Sequence, residues 1–511
     1  MRTKQASSSG DAASRVDVVV IGGGPAGAAA GRILAGLGHE TVLISGGGGE
    51  GPRVCESLPP SCRKPLAAAG LLEAVEDAGF MATGGNTGAW AGEAPQASGF
   101  EGGEAGWQVE RHRFDAVLRG AAARAGVRVL AGAARNVRPA GTPGDTASLE
   151  WEGEGGSGAI VARWLLDCSG RAGLVARRGY RVRQPGPATL AVVGVWEGLD
   201  PGVMADPTHT LVESYESGWA WSVPESEDRR HVAVMVDPRA SGLSRGAGLE
   251  GIYAAELERT VHHRRLLAGA GMRGSVWACA ATPYAARRYA GPGVLLVGDA
   301  GSFLDPLSSF GVKKALASGW LAAVVVNTAL RNPPMAGSAT GLFDARERET
   351  HGRYAALAAE YYRRAGAYHG HRFWTSRASS VESPGPAELA GTDSSGLLRH
   401  PGVPAELARL RSMPRQRLRQ AAGVVRTPMP VVRGHQVVLE EHLVATTVPA
   451  GIRSIRGVEL TGLIDLLPAH DQVPELYEQV RRAQGAVELP DFLGALAVLL
   501  ALELVTDAEP E

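Results

Sequence analysis

The chain has 511 residues, 44% of them hydrophobic and 21% charged, with a formal net charge of −1. That length allows about three domains' worth of core, or two interlocked lobes with an appendage, and a near-neutral charge gives no global attraction to nucleic acid or acidic membranes. Cys55, Cys62, Cys168 and Cys279 form no C-x-x-C pair and no His/Cys cluster with zinc-ligand spacing. Buried thiols in a reducing compartment are therefore expected, and no metal site is.

Residues 1–15 are small and polar without an apolar core, which reads as a disordered tail rather than a signal peptide. The run Val18–Ile21 predicts a strand buried on both faces. It breaks at Gly22-Gly23-Gly24 and enters an alanine-rich helix from Pro25 to about Leu37, and Thr41–Ile44 predicts the next parallel strand. This βαβ unit carries G-x-G-x-x-G at Gly22, Gly24 and Gly27, with Pro25 and Ala26 inside the motif. The glycines allow a tight turn, close approach to a pyrophosphate and close helix–strand packing, so a dinucleotide is expected at the helix N-terminus. An acidic ribose ligand usually follows about 20 residues on, but the second strand ends in Ser45. A hydroxyl holds ribose less strongly than a carboxylate, which suits a flavin that exchanges.

Further along come Cys55-Glu56-Ser57-Leu58-Pro59-Pro60, a helical pattern over 61–79, and a glycine-rich turn into a strand over 80–90. Arg111 through Asp115 opens a helix reaching Ala125. Strand-like runs at 127–130 and 165–166 follow, the second ending in Asp167-Cys168-Ser169-Gly170-Arg171. A strand at 294–297 leads into Gly298-Asp299-Ala300, then Asp305-Pro306 and Ser309-Phe310-Gly311-Val312. Between them stands Gly218-Trp219-Ala220-Trp221-Ser222-Val223-Pro224.

Together these motifs, in this order, resemble FAD-dependent oxidoreductases of the aromatic hydroxylase superfamily, and within it the flavin-dependent, tryptophan-type halogenase-like branch. E-S-L-P-P resembles that branch's G-E-S/T-x-x-P, with Cys55 where glycine is usual, and R-H-R-F-D matches its R-x-x-F-D. G-W-A-W-S-V-P matches its W-x-W-x-I-P with valine for isoleucine. The resemblance implies an α/β fold: a Rossmann-type FAD-binding domain interlocked with an antiparallel-sheet substrate domain. The FAD parts fall at about 16–60, 109–175 and 280–335, and the substrate sheet at about 80–108 and 185–280. It implies FAD held by Gly22, Gly24, Pro25, Ala26, Gly27, Ser45, Arg111, Asp299, Pro306, Gly311 and Val312. Glu56, Trp219, Trp221 and Ser309 become the catalytic candidates. Plainer roles stay open: helix capping for Asp299 and Glu56, a surface helix arginine for Arg111, and a hydrophobic sheet face for the two tryptophans, which alternate on one strand and so share a side.

Lysine divides the possible reactions. Halogenases of this branch use a lysine in the substrate tunnel to carry hypohalous acid, whereas alignment on Trp90 places Thr83 at that position. The chain's lysines are Lys4, Lys64, Lys313 and Lys314. The expected activity is therefore that of a monooxygenase, in which reduced FAD and O2 form a C4a-hydroperoxide that oxidises an aromatic, indole- or phenol-like substrate, free or bound to a carrier or peptide. No second dinucleotide motif is present, so a separate flavin reductase or transient NAD(P)H docking supplies the electrons. Alternatives are a halogenase with a non-standard lysine, a geranylgeranyl-reductase-like double-bond reductase, and a non-catalytic flavin-binding partner protein.

Beyond the motif region, 342–365 has helical spacing, 381–400 reads as a Ser/Gly/Pro-rich linker, and 401–511 as a mostly helical module. The arginine-rich stretch 409–426 reads as a solvated helix face or as a docking patch for an acidic partner. The apolar stretches 315–330 and 492–505 are too short or interrupted to span a bilayer. A cytoplasmic protein is expected.

Overall fold

The computed structural model describes residues 13–46, 54–182, 186–241, 248–379, 394–413 and 415–508. The chain divides into two compact units, 1–382 and 383–511.

In the first unit, β1 (Ser14–Ile21) begins inside the stretch expected to be a tail, because its apolar residues pair in parallel with β2 (Thr41–Ser45) on one side and with Gly156–Asp167 on the other. Between β1 and β2 runs α1 (Pro25–Gly36), whose Ala28, Ala29 and Ala30 are fully buried. The parallel core of this sheet runs 294–296, 156–167, β1, β2, 128–131. Next in the chain, β3 (Cys55–Leu58) pairs antiparallel with β4 (Gly106–Glu110), which leads directly into α2 (Arg111–Arg124). The single helical pattern expected over 61–79 is two short helices, Arg63–Ala68 and Leu72–Glu76. Gly70 separates them at φ 65°, and Arg32 caps the first by donating to the Ala69 carbonyl at 2.9 Å.

The substrate sheet has seven strands, in the order 271–280, 190–197, β6 (Arg229–Val236), β5 (Gly218–Ser226), 210–215, 85–89, 96–99. Its pairings are antiparallel except where 210–213 runs parallel to 86–89. Side-chain alternation sorts the two faces. Val192, Ala220, Val232 and Val234 pack beneath the helix Leu249–Glu258, while Ala191, Val193, Trp219, Ala233 and Met235 face the other way. The inner strand 210–215 is fastened to the segment 261–263 by Glu213, 3% exposed. It accepts the backbone N–H groups of Val261 (2.6 Å) and His263 (3.0 Å) and the His263 Nδ1–H (3.0 Å). Burial alone would raise this carboxyl, but the His263 contacts hold it down at about 2 against an ordinary 4.5. A depressed folded-state pKa stabilises above the unfolded value and loses that contribution as pH falls through the folded one. Wild-type protein should therefore lose urea resistance between pH 4.5 and about 2. Glu213→Gln should be weaker at neutral pH with a flatter acid limb; an unchanged limb would remove Glu213 from the acid response.

Two long helices complete the unit, α3 (Gly311–Arg331) and α4 (Ala336–His369). α3 crosses α1 at backbone contact: a Cβ on Gly319 would lie 2.4 Å from the Ala26 carbonyl oxygen.

The second unit contains helices Val403–Ser412, Leu460–Leu466, Val473–Gln484 and Leu489–Ala501, together with an antiparallel meander of strands 425–433, 436–445 and 448–452. Its core includes Leu443, Leu460, Leu463, Phe492 and Leu496. The expected linker lies largely outside the described residues, but Leu397 and Leu398 pack on this core, so the stretch cannot be linker throughout. The arginine-rich stretch is not one helix: it ends a helix at Ser412, then Leu418–Gln420 pairs with Val505–Asp507 and Val425 opens a strand. Arg409 pairs with Asp507, Arg415 with Asp471 at 2.9 Å and Arg426 with Asp465 at 2.5 Å, neutralising half of the supposed patch from within. Among the described residues no single helix is long and apolar enough to cross a membrane.

Candidate active site

A cavity of about 890 Å³ opens where β1 gives way to α1 and where α3 begins. Neither helix has a side-chain cap, so the unpaired N–H groups of both first turns are free to meet a ligand carrying negative charge. Gly24, Pro25, Ala26, Gly311 and Val312 all line this space. Gly22 and Gly27 do not; they make the turn possible. Gly22 has φ 110°, and a Cβ there would lie 2.2 Å from the Cys168 carbonyl oxygen, while one on Gly27 would lie 1.9 Å from the Gly22 carbonyl oxygen. Ser45 is 8% exposed and stands behind Gly23 rather than on the wall.

One charged side holds Arg111 between two carboxylates, 2.6 Å from Glu56 and 3.2 Å from Asp115. Burial works against the guanidinium, but Glu56 and Asp115 hold its pKa above the ordinary value. Burial raises the Asp115 carboxyl, with Arg111 opposing. Opposite lies Asp299. Its Oδ1 is buried and accepts no hydrogen bond among the described residues, and burial pushes its pKa up while Lys314 and Arg111 oppose. Pro306 and Ser309 also border the cavity, Ser309 in a left-handed conformation at φ 53°, a strained geometry for a non-glycine residue.

The apolar wall comes from the substrate sheet: Ala191, Val193, Trp221, Ala233, Met235 and Cys279. The two tryptophans share a sheet face as expected, yet only Trp221 reaches the cavity. Trp219 is 1% exposed and packs edge-on against Trp90 at 6.4 Å, so it supports the wall from below. The Trp221 indole N–H is buried without a partner among the described residues.

Sequence reasoning missed Arg181. Its guanidinium donates to the carbonyls of Gly170, Arg171, Asp299 and Ala300 at 2.8–3.0 Å and stacks on Tyr284 at 4.1 Å. It thereby ties the D-C-S-G-R turn to the G-D-A turn. No motif marks it; only five fork-shaped donors meeting clustered carbonyls do.

None of the described lysines reaches the cavity. Lys64 is exposed on Arg63–Ala68, Lys313 lies over the Phe310 ring at 5.1 Å, and Lys314 is buried, donating to the Gly298 and Ser302 carbonyls. Thr83 is fully buried and donates to the Gly85 carbonyl at 3.2 Å, away from the cavity.

The tryptophan halogenase family model matches residues 66–389, more than half of the chain. The chain belongs to the tryptophan halogenase family. A curated member, tryptophan 2-halogenase from Chondromyces crocatus, is 31% identical over 410 residues, covering 74% of each chain. Among solved structures, the flavin-dependent halogenase CmlS shares the fold, with a TM-score of 0.76 and 22% identity over 97% of this chain and 96% of that one. The peptidyl tryptophan dihydroxylase QhpG, essential for tryptophylquinone cofactor biogenesis, gives a TM-score of 0.65 at 26% identity, covering 93% of this chain and 100% of that one. As a family member the chain is an FAD-dependent oxidoreductase. The residues present fit FAD: a glycine cradle that a Cβ would fill, two uncapped helix N-termini, and an orphaned Asp299 oxygen able to accept a hydroxyl proton.

Proposed function

We propose that this chain is a flavin-dependent monooxygenase within the halogenase family, inserting oxygen into an indole- or phenol-like substrate. The observation that carries this reading is a cavity wall without a lysine among the described residues. Among the described residues no ammonium lines that wall to receive and direct hypohalous acid. FAD, when bound and reduced by a separate flavin reductase, supplies the oxygen-transferring chemistry. Gly24, Pro25 and the first turn of α1 would hold its pyrophosphate, Asp299 a ribityl hydroxyl, and the start of α3 the ring system. Arg111, fixed by Glu56 and Asp115, keeps a positive charge on the cofactor side. Ala191, Val193, Ala233 and Met235 exclude water from the substrate end, and the Trp221 N–H offers a donor to a substrate oxygen.

The likeness to a peptidyl tryptophan dihydroxylase extends over both units of this chain, which favours a tryptophan side chain in a peptide over a free small phenol. A second reading, halogenation, is favoured by the halogenase activity named for the curated relative. The deciding assay supplies FAD, NADH, a flavin reductase and bromide, with free tryptophan, a phenol panel and tryptophan-containing peptides. Products heavier by oxygen, formed at the same rate without bromide, are expected. Brominated product would overturn the monooxygenase reading, and products heavier only by hydrogen would replace both readings with double-bond reduction.

A further inference from the structure

The ribbon of β3 and β4 has two faces, with Glu56 and Cys55 on opposite ones. Glu56 points to the cavity. Its neighbour Cys55 points the opposite way, and Glu110, directly paired with Cys55 across the ribbon, shares that second face. Cys55 is 1% exposed there. The ends of β5 and β6 bring Glu225 and His231 to the same place, with ligand atoms of Cys55, Glu225 and His231 all within 4.8 Å of one another.

The local electrostatics are unbalanced. The buried Cys55 thiol lies in the field of the carboxylates of Glu225, Glu110 and Glu56. Glu110 Oε1 and His231 Nδ1 are buried without hydrogen-bond partners among the described residues. The nearby guanidinium of Arg229 is directed at one Glu225 oxygen, 3.3 Å away, and at Glu197. The other Glu225 oxygen faces His231 Nε2 at 3.1 Å. A divalent cation among these three donors would displace the thiol proton and balance the carboxylate charge.

We propose that Cys55, Glu225 and His231 form a zinc-type cation site whose fourth position is left to water. Thiolate, imidazole and carboxylate donors are the zinc set, and bond lengths of about 2.0–2.3 Å place tetrahedral ligand atoms roughly 3.5 Å apart. Glu225 keeps 31% of its side chain exposed, which supplies the entry path. Spacing along the chain could not reveal the site, because the ligands come from different strands. Cys55 stands where the family motif resembled above has glycine, so the site belongs to this chain rather than to that motif. Its role is to fasten the ribbon whose other face presents Glu56.

The test uses full-length FAD-loaded protein, stripped with a chelator and titrated with Co2+, whose tetrahedral d–d bands lie to the red of flavin absorption. One equivalent should give intense tetrahedral bands with thiolate charge transfer, and one equivalent of Zn2+ should abolish them. Cys55→Ser and His231→Gln should each weaken Co2+ binding more than about 100-fold, while Cys62→Ser leaves it unchanged. Zn2+ should also slow alkylation of wild-type Cys55 in moderate urea, where local opening exposes the thiol, as read by peptide mass, a measurement that stands even where a variant does not fold. A weak octahedral cobalt spectrum, tetrahedral bands that survive Cys55→Ser, or unshielded Cys55 would overturn the proposal.

Discussion

Gly27→Ala should weaken FAD binding about 10- to 100-fold, the equivalent of roughly 1–3 kcal/mol of overpacking. The new methyl would lie 1.9 Å from the Gly22 carbonyl oxygen, an atom held in the turn by the backbone on both sides. Relief requires α1 to retreat from β1, and that moves the first-turn N–H groups away from the phosphates. Gly319→Ala should act in the same direction from the opposite helix, because its methyl would meet the Ala26 carbonyl oxygen at 2.4 Å. Gly36→Ala, with nothing within 4 Å of the added carbon, is the control. Fluorescence-quenching titration with FAD reads all three. Affinity within twofold of wild type for Gly27→Ala would place the flavin elsewhere.

Lys314→Met should cost about 3–5 kcal/mol of stability, the usual consequence of removing one partner from a buried charge network. Lys314 is 4% exposed and satisfies the Gly298 and Ser302 carbonyls. Its ammonium lies 3.9 Å from Asp299 Oδ1 and counters the rise that burial imposes on Glu347. The variant leaves the Ser302 carbonyl without its donor, takes the ammonium from the Gly298 carbonyl, and removes the nearest cation from two buried carboxyls. Urea denaturation measures the loss, and Lys64→Met, at an exposed site, should stay within about 0.5 kcal/mol of wild type. A Lys314→Met protein that folded like wild type and bound FAD but lost bromination would instead identify Lys314 as a halide-handling lysine.

The parts of the fold legible in sequence are those where local pattern and tertiary role coincide. Val18–Ile21 is continuous and apolar because β1 is covered on both faces, and Gly22 through Gly27 are small because backbone meets backbone there. Asp299 was readable for the same reason: it follows a buried strand and sits at the cavity. Trp219 and Trp221 show where this reading stops. Period-two alternation fixed their shared face, but the depth of Trp219 depends on Trp90 and Trp374, which arrive from distant parts of the chain. The helix expected over 61–79 failed at Gly70, whose positive φ ends a turn that the apolar spacing alone would continue. The arginine-rich stretch failed for a related reason. Its charges looked unpaired because Asp465, Asp471 and Asp507 lie about 40 or more residues away in sequence.

The carbonyls collected by Arg181 belong to two loops that approach the cavity from different strands, 170–171 and 299–300. Opening either loop alone strands donors of a guanidinium that the other still holds, so the two should open as one cooperative unit. Amide hydrogen exchange at these loops would then be slow and correlated, and FAD departure would be timed by a single joint opening. Lysine, a point charge with three rotatable donors, cannot hold four carbonyls in a planar fork. Arg181→Lys would uncouple the loops, raising the FAD off-rate more than it changes any contact to the flavin itself.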